Sequence, residues 1–250
     1  METTTTMRYL LSIIALVLVT NLASCQKINY ADDWLKQLEN PENEFYKLKV
    51  PNLVDKYSAY DFSQLIQPKT EFLGFIGSDY RRIIMKFNSV RKEPNSQTYS
   101  VTGTSLVLNN KCDFNGTITI RQVREFELFH YGVDEMYKDS GIKSQGLIIG
   151  NYSLKENKDQ PHSGEFIGIM SLLWYIDKTG KLCYDKIDNY SDSYRNNQYV
   201  GIWKDYSTKT EKTCNWGEFR IPFSGDLDIG TGEFSPNEKY YDKGWRPINK

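Results

Sequence analysis

Hydrophobic and polar residues along this chain fall into three regimes. A mostly apolar run, YLLSIIALVLV from Tyr9 to Val19, comes first. A mixed stretch follows. There ADDWLKQLEN sets Trp34, Leu35 and Leu38 on one helical face, with Asp32 and Asp33 at the positive helix start and Pro41 as the stop. From Lys69 onward the period drops to two, and the chain reads as strands joined by polar turns. EFLGFIGS and YRRIIMKFNSV flank a corner at Ser78-Asp79, and TYSVTGTSLVL places Tyr99, Val101 and Gly103 on one side. CDFNGTITIRQVREFELF aligns Phe114, Ile118, Ile120 and Val123, and the slip in spacing between Ile120 and Val123 predicts a β-bulge. GLIIGNYSL, EFIGIMSLLWYI, KLCYDKI, QYVGIWKDYS and CNWGEFRIP continue the series.

Eight or nine such strands with no helix between them predict an all-β fold, an antiparallel meander forming a barrel or sandwich. The implied layout is a leader over 1–24, a short, partly helical N-terminal tether over 25–66 and a single all-β domain over 67–250. Two hairpins look alike: CDFNG at Cys112 and CNWG at Cys214 each follow a strand with an inner glycine, Gly103 and Gly201. Reuse of one hairpin around a sheet is how antiparallel barrels are built. GIWKDY, with Gly201 and Trp203, resembles the glycine-x-tryptophan element of the calycins, the lipocalin-like barrels. In that family the element lies on the first strand, whereas here it lies near the end of the chain. The resemblance implies a calycin-like barrel whose interior is either packed solid or holds one small ligand.

The first regime changes the picture of location. Arg8 precedes the apolar run, small residues follow it, and the run is too short for a comfortable membrane span, so it reads as a secretory signal peptide. Met7 would serve as its start as well as Met1. Leu22-Ala23-Ser24-Cys25 resembles the lipobox of bacterial lipoproteins. That resemblance implies cleavage before Cys25, lipid (palmitate-type acyl chains) on its sulfur and new amino group, and attachment to the cell envelope membrane. Several acyl chains anchor stably where one is marginal. Gln26-Lys27 lacks the aspartate that retains such proteins at an inner membrane, so an outer membrane is the expected site, with the periplasmic and surface faces both open.

Composition narrows the rest. Removing 24 residues from 250 leaves 226, and the net charge stays at −1 because Glu2 and Arg8 leave together. A near-neutral chain with interleaved charges argues against nucleic acid as a partner. The 18 tyrosines and 5 tryptophans suit pleated strands. With Cys25 spent on lipid, Cys112, Cys183 and Cys214 allow one disulfide and one thiol, or three buried thiols. The matched hairpins favour a Cys112–Cys214 pairing.

Chemical motifs are few, and none calls for a cofactor. There is no glycine-rich phosphate loop, nucleophile elbow or histidine pair for zinc, and His130 and His162 carry no neighbouring signature. YDKIDNYSDSYRNNQ gathers Asp185, Asp188 and Asp192 among tyrosines, a set able to do acid–base work on a sugar or simply to form a solvated loop. SGDLDIGTGEF gathers Asp226, Asp228 and Glu233 around glycines, either as oxygen ligands for calcium or as a glycine turn with aspartate caps. Phe234, Tyr240, Tyr241 and Trp245 are too apolar for a free tail, so residues 226–245 are expected to pack onto the barrel. Three functions remain: an anchored, non-catalytic barrel that binds a small ligand or supports an envelope assembly; an inhibitor or immunity-type module with a protein partner; and a hydrolase using the carboxylates around Asp185.

Overall fold

The computed structural model describes residues 30–40, 47–192 and 194–247, so the expected signal peptide over 1–24 and Cys25 lie outside the described residues. Among the described residues nine strands form: β1 (Phe72–Ile76), β2 (Arg81–Lys92), β3 (Thr98–Val107), β4 (Asn110–Glu125), β5 (Ser144–Glu156), β6 (Gly164–Ile176), β7 (Leu182–Tyr184), β8 (Asn196–Asp205) and β9 (Glu211–Glu218). All pairings are antiparallel. β1 to β6 run as a meander, β8 pairs with β6 and β9, and β9 returns to β1, so eight strands close a barrel and leave no free edge. β7 is a short extra strand on the end of β6, opposite Trp174–Ile176. The expected bulge in β4 sits between Ile120 and Gln122.

The two-residue period decides which side chains face in. Phe72, Phe87, Phe114, Tyr152, Phe166, Tyr199 and Trp216 fill the barrel core, mostly edge to face, with Tyr199 and Trp216 stacked at 5.0 Å. Rings this large need recesses opposite them, and glycines supply these. Gly168 faces Gly201 across β6 and β8, and the Tyr152 hydroxyl lies 2.6 Å from where a Cβ would stand on either. Gly103 likewise lies under the Phe114 ring, 2.5 Å from its would-be Cβ. The inner glycines of the two matched hairpins therefore have one physical role, making room for an aromatic. The middle of the barrel is packed, not hollow.

One end is plugged by the segment before β1. Tyr57, Phe62, Leu65 and Ile66, the last two on a helical turn α2 (Ser63–Ile66), are buried in the core, and Tyr57 meets the Trp174 ring at 4.7 Å. Glu125 pins this plug. It is 8 % exposed and accepts hydrogen bonds from Lys56 at 2.6 Å, Tyr57 at 2.6 Å and Lys49 at 3.0 Å. Helix α1 (Tyr30–Glu39) lies on the outer wall, where Trp34 and Leu38 cover Leu147, Ile149, Ile169, Leu173 and Val200. Residues on both sides of position 66 thus share one core.

The tail packs back as expected, but it does not close the barrel, which β1 and β9 do through their own ladder. Phe75, Ile221, Leu227 and Trp245 form a separate buried cluster on the outer face of β1, and Trp245 Nε1 donates to the Tyr80 carbonyl at 2.6 Å. Trp245→Ala should therefore cost about 2–3 kcal/mol by the apolar area lost. It should lower the melting temperature by roughly 5–10 °C in a domain of this length. Differential scanning calorimetry checks this, and unchanged melting would mean that the tail contributes nothing to stability.

Candidate functional site

The strand directions place the β1–β2, β3–β4, β5–β6 and β8–β9 turns together at the end opposite the plug. A cavity of about 640 Å³ opens there, with Ser105, Glu156, Phe166 and Trp203 deep within it and Asp79, Arg81, His162 and Lys212 towards the rim. This size suits one small ligand.

Glu156 is the chemically distinctive group in the mouth. It ends β5 on the inward-facing register of Tyr152 and Leu154, so the pleat aims its side chain into the barrel. It is 6 % exposed. Ser105 Oγ donates to one oxygen, and Trp203 Nε1 at 2.9 Å and the Gly164 amide at 2.7 Å donate to the other. Burial pushes its carboxyl above the usual range, opposed by these three hydrogen bonds and reinforced by the Asp205 charge. Arg81 pairs with Asp79 at 3.4 Å, and the Lys212 ammonium lies 5.3 Å from the Trp203 ring centre. Asp205 holds the β8–β9 turn: hydrogen bonds from Ser207 and Thr208 bring its carboxyl down to about 2.

The carboxylates singled out from the sequence lie elsewhere and are held by the fold. Asp185 is buried at the plugged end, with one oxygen accepting from the Ile187 amide at 3.0 Å and the other from Gln145 at 2.8 Å. Burial raises both Asp185 and Asp188, and the two repel. Asp192 supplies its backbone carbonyl to Arg220 at 3.0 Å.

Arg220 also explains the glycine loop. Its guanidinium reaches five oxygens: the Asp228 carboxylate at 2.6 Å and the carbonyls of Asp192, Gly230, Thr231 and Gly232 at 2.5–3.1 Å. Asp228 meanwhile accepts from the Gly230 and Ser235 amides, both at 3.0 Å, as a turn cap does. The centre of this loop is thus filled by a protein cation. Asp226 is exposed and bonds Tyr240 at 2.8 Å and Lys239. Glu233 lies with Tyr194, Phe219 and Phe234 along a separate shallow pocket. Among the described residues no three His, Cys, Asp or Glu side chains gather to hold a metal.

Cys112, Cys183 and Cys214 are unbonded thiols. Cys112 donates to the Pro161 carbonyl at 3.6 Å and accepts from Asn110 at 3.4 Å, while Cys214 is buried in the core. Burial raises both thiols, and the Glu156 charge acts on each in the same direction.

Sequence reasoning missed Glu156, although a signal was there. Continuing the alternation of GLIIGNYSL by two residues, from Leu154 to Glu156, places an acid on the core face. Trp203 was noticed for its glycine-x-tryptophan context, and the structure puts it on β8, donating to that acid. Comparison with protein-family models, curated proteins and solved structures returns no match for this chain.

Proposed function

We propose that this protein is an exported, lipid-anchored β-barrel of the bacterial cell envelope that binds a small ligand in its mouth and does no chemistry on it. The observation that carries the binding role is the mouth itself, a cavity over a buried carboxylate at the one end that the 53–66 segment does not fill. The anchor rests on Leu22–Cys25 after the apolar run, and the outer membrane is the favoured site. The barrel wall suits an aqueous position beside a membrane. Lys86, Thr102, Asp113 and Asn115 point outward and the aromatics inward, the reverse of a lipid-embedded barrel. Metabolic labelling with a radioactive fatty acid tests the anchor: wild type should take up label and fractionate with membranes, and Cys25→Ala should lose both. Equal labelling of the two would remove the lipoprotein reading.

A protein partner is the second reading, and one feature favours it. Leu128, Val133, Met136, Tyr190 and Phe219 are all at least 42 % exposed and belong to loops at the plugged end. The 128–141 loop rests on the 185–190 loop there, since Gly132 abuts the Ile187 carbonyl. Exposed apolar residues grouped in this way are what a docking surface needs.

A further inference from the structure

We propose that the mouth takes a small organic cation, a protonated amine on an apolar body, with Glu156 as its counter-charge and Phe166 and Trp203 as its walls. The proposal rests on the reading of the mouth as a ligand site and names the class of that ligand.

The central observation is a charge without a partner. A carboxylate this deep is ordinarily matched by a cation, because desolvation is otherwise costly. The three donors on Glu156 are all neutral: a hydroxyl, an indole and a backbone amide. Among the described residues, no ion pair engages it. The charged side chain that acts on it is Asp205, of the same sign. Two other acids with buried side chains have cations: Glu125 has two lysines, and Asp228 has Arg220. Asp185, at the plugged end and lining no part of the mouth, is held by neutral donors.

The geometry leaves room for a missing donor. Two carboxylate oxygens offer about four lone-pair directions, and three are taken, two on one oxygen and one on the other. The open direction lies on the oxygen that carries only Ser105, and the group borders the cavity. Phe166 and Trp203 line the same space, and aromatic faces attract cations. Trp203 already does so, holding the Lys212 ammonium at 5.3 Å. The cations of the mouth, Arg81 and Lys212, sit at the rim, Arg81 paired with Asp79 and Lys212 over Trp203. The charge deep in the cavity is Glu156, so an anion reaching the floor would meet a carboxylate. Among the described residues, no cluster of three metal-ligating side chains stands at the mouth.

Three probes of one shape decide the matter: phenethylamine, 2-phenylethanol and 3-phenylpropionate, titrated into the detergent-solubilised mature protein by calorimetry at pH 7.5. We expect saturable binding of the amine about tenfold or more tighter than the alcohol, the usual scale for a charge-assisted hydrogen bond, and no binding of the acid. Glu156→Gln should erase the preference for the amine and leave the alcohol as it was. If that variant fails to fold, the wild-type ranking still decides. Alcohol or acid binding as tightly as the amine would overturn the cation assignment while leaving the mouth as a ligand site. No saturation by any probe would overturn both.

Discussion

Arg220→Ala should lower stability by about 3–5 kcal/mol, because it strips the counter-charge from a buried carboxylate and leaves it uncompensated. The Asp228 side chain is 6 % exposed and pairs with Arg220 at 2.6 Å, and four backbone carbonyls lose their donor in the same substitution. At about 2–4 °C per kcal/mol for a domain of this length, the melting temperature should fall by roughly 10 °C or more. Adding Asp228→Asn removes the stranded charge and should recover part of the loss. Thermal denaturation of the wild type with a calcium chelator should show no shift, because the guanidinium fills the centre of the loop. A large chelator effect, or an Arg220→Ala protein that melts like wild type, would overturn this account.

Acid should release the plug through Glu125. Burial alone would raise this carboxyl, but hydrogen bonds from Lys56, Tyr57 and Lys49 outweigh it and bring it down from 4.5 to about 2. A depressed acid stabilises the fold fully above its unfolded value and loses that contribution as pH falls towards the folded one. The window is therefore about pH 5 down to 2, and the amount is about 3 kcal/mol at 1.36 kcal/mol per unit. Glu156 and Asp185 are raised and act oppositely, becoming less destabilising as pH falls. The clean measurement is thus the difference in unfolding free energy between wild type and Glu125→Gln by urea titration. That difference should be largest near pH 6 and vanish near pH 2. A difference that does not change with pH would mean that Glu125 is not held as an anion by its lysines.

Much of the barrel is legible in the sequence because strand alternation is a local property. Tyr99, Val101, Phe114, Ile118 and Ile120 read as one face and are one face, and the irregularity after Ile120 appears as a bulge. The packed tail was readable too, since Phe234 and Trp245 carry more apolar surface than a solvated segment tolerates. The candidate chemistry was read less well. Asp185, Asp188, Asp192, Asp226 and Asp228 stand out because carboxylates cluster along the chain, but proximity along the chain does not say what a carboxylate touches. Asp228 meets an arginine eight residues earlier. Asp185 meets Gln145, forty residues away.

What the sequence by itself determined is whatever depends on near neighbours: the strands, their inward and outward faces, the turns, and the leader-like apolar run from Tyr9 to Val19. What only the tertiary structure decided is closure and its consequences. Barrel and sandwich share the same alternation, and the choice between them rests on β9 meeting β1, partners separated by more than 130 residues. The same closure brings Ser105, Glu156, Gly164 and Trp203 to one point from β3, β5, β6 and β8. No spacing within any of these strands records that meeting, because its energy comes from burying the four groups together. A lone glutamate at a strand end becomes an unpaired charge in a mouth only once the barrel has closed around it.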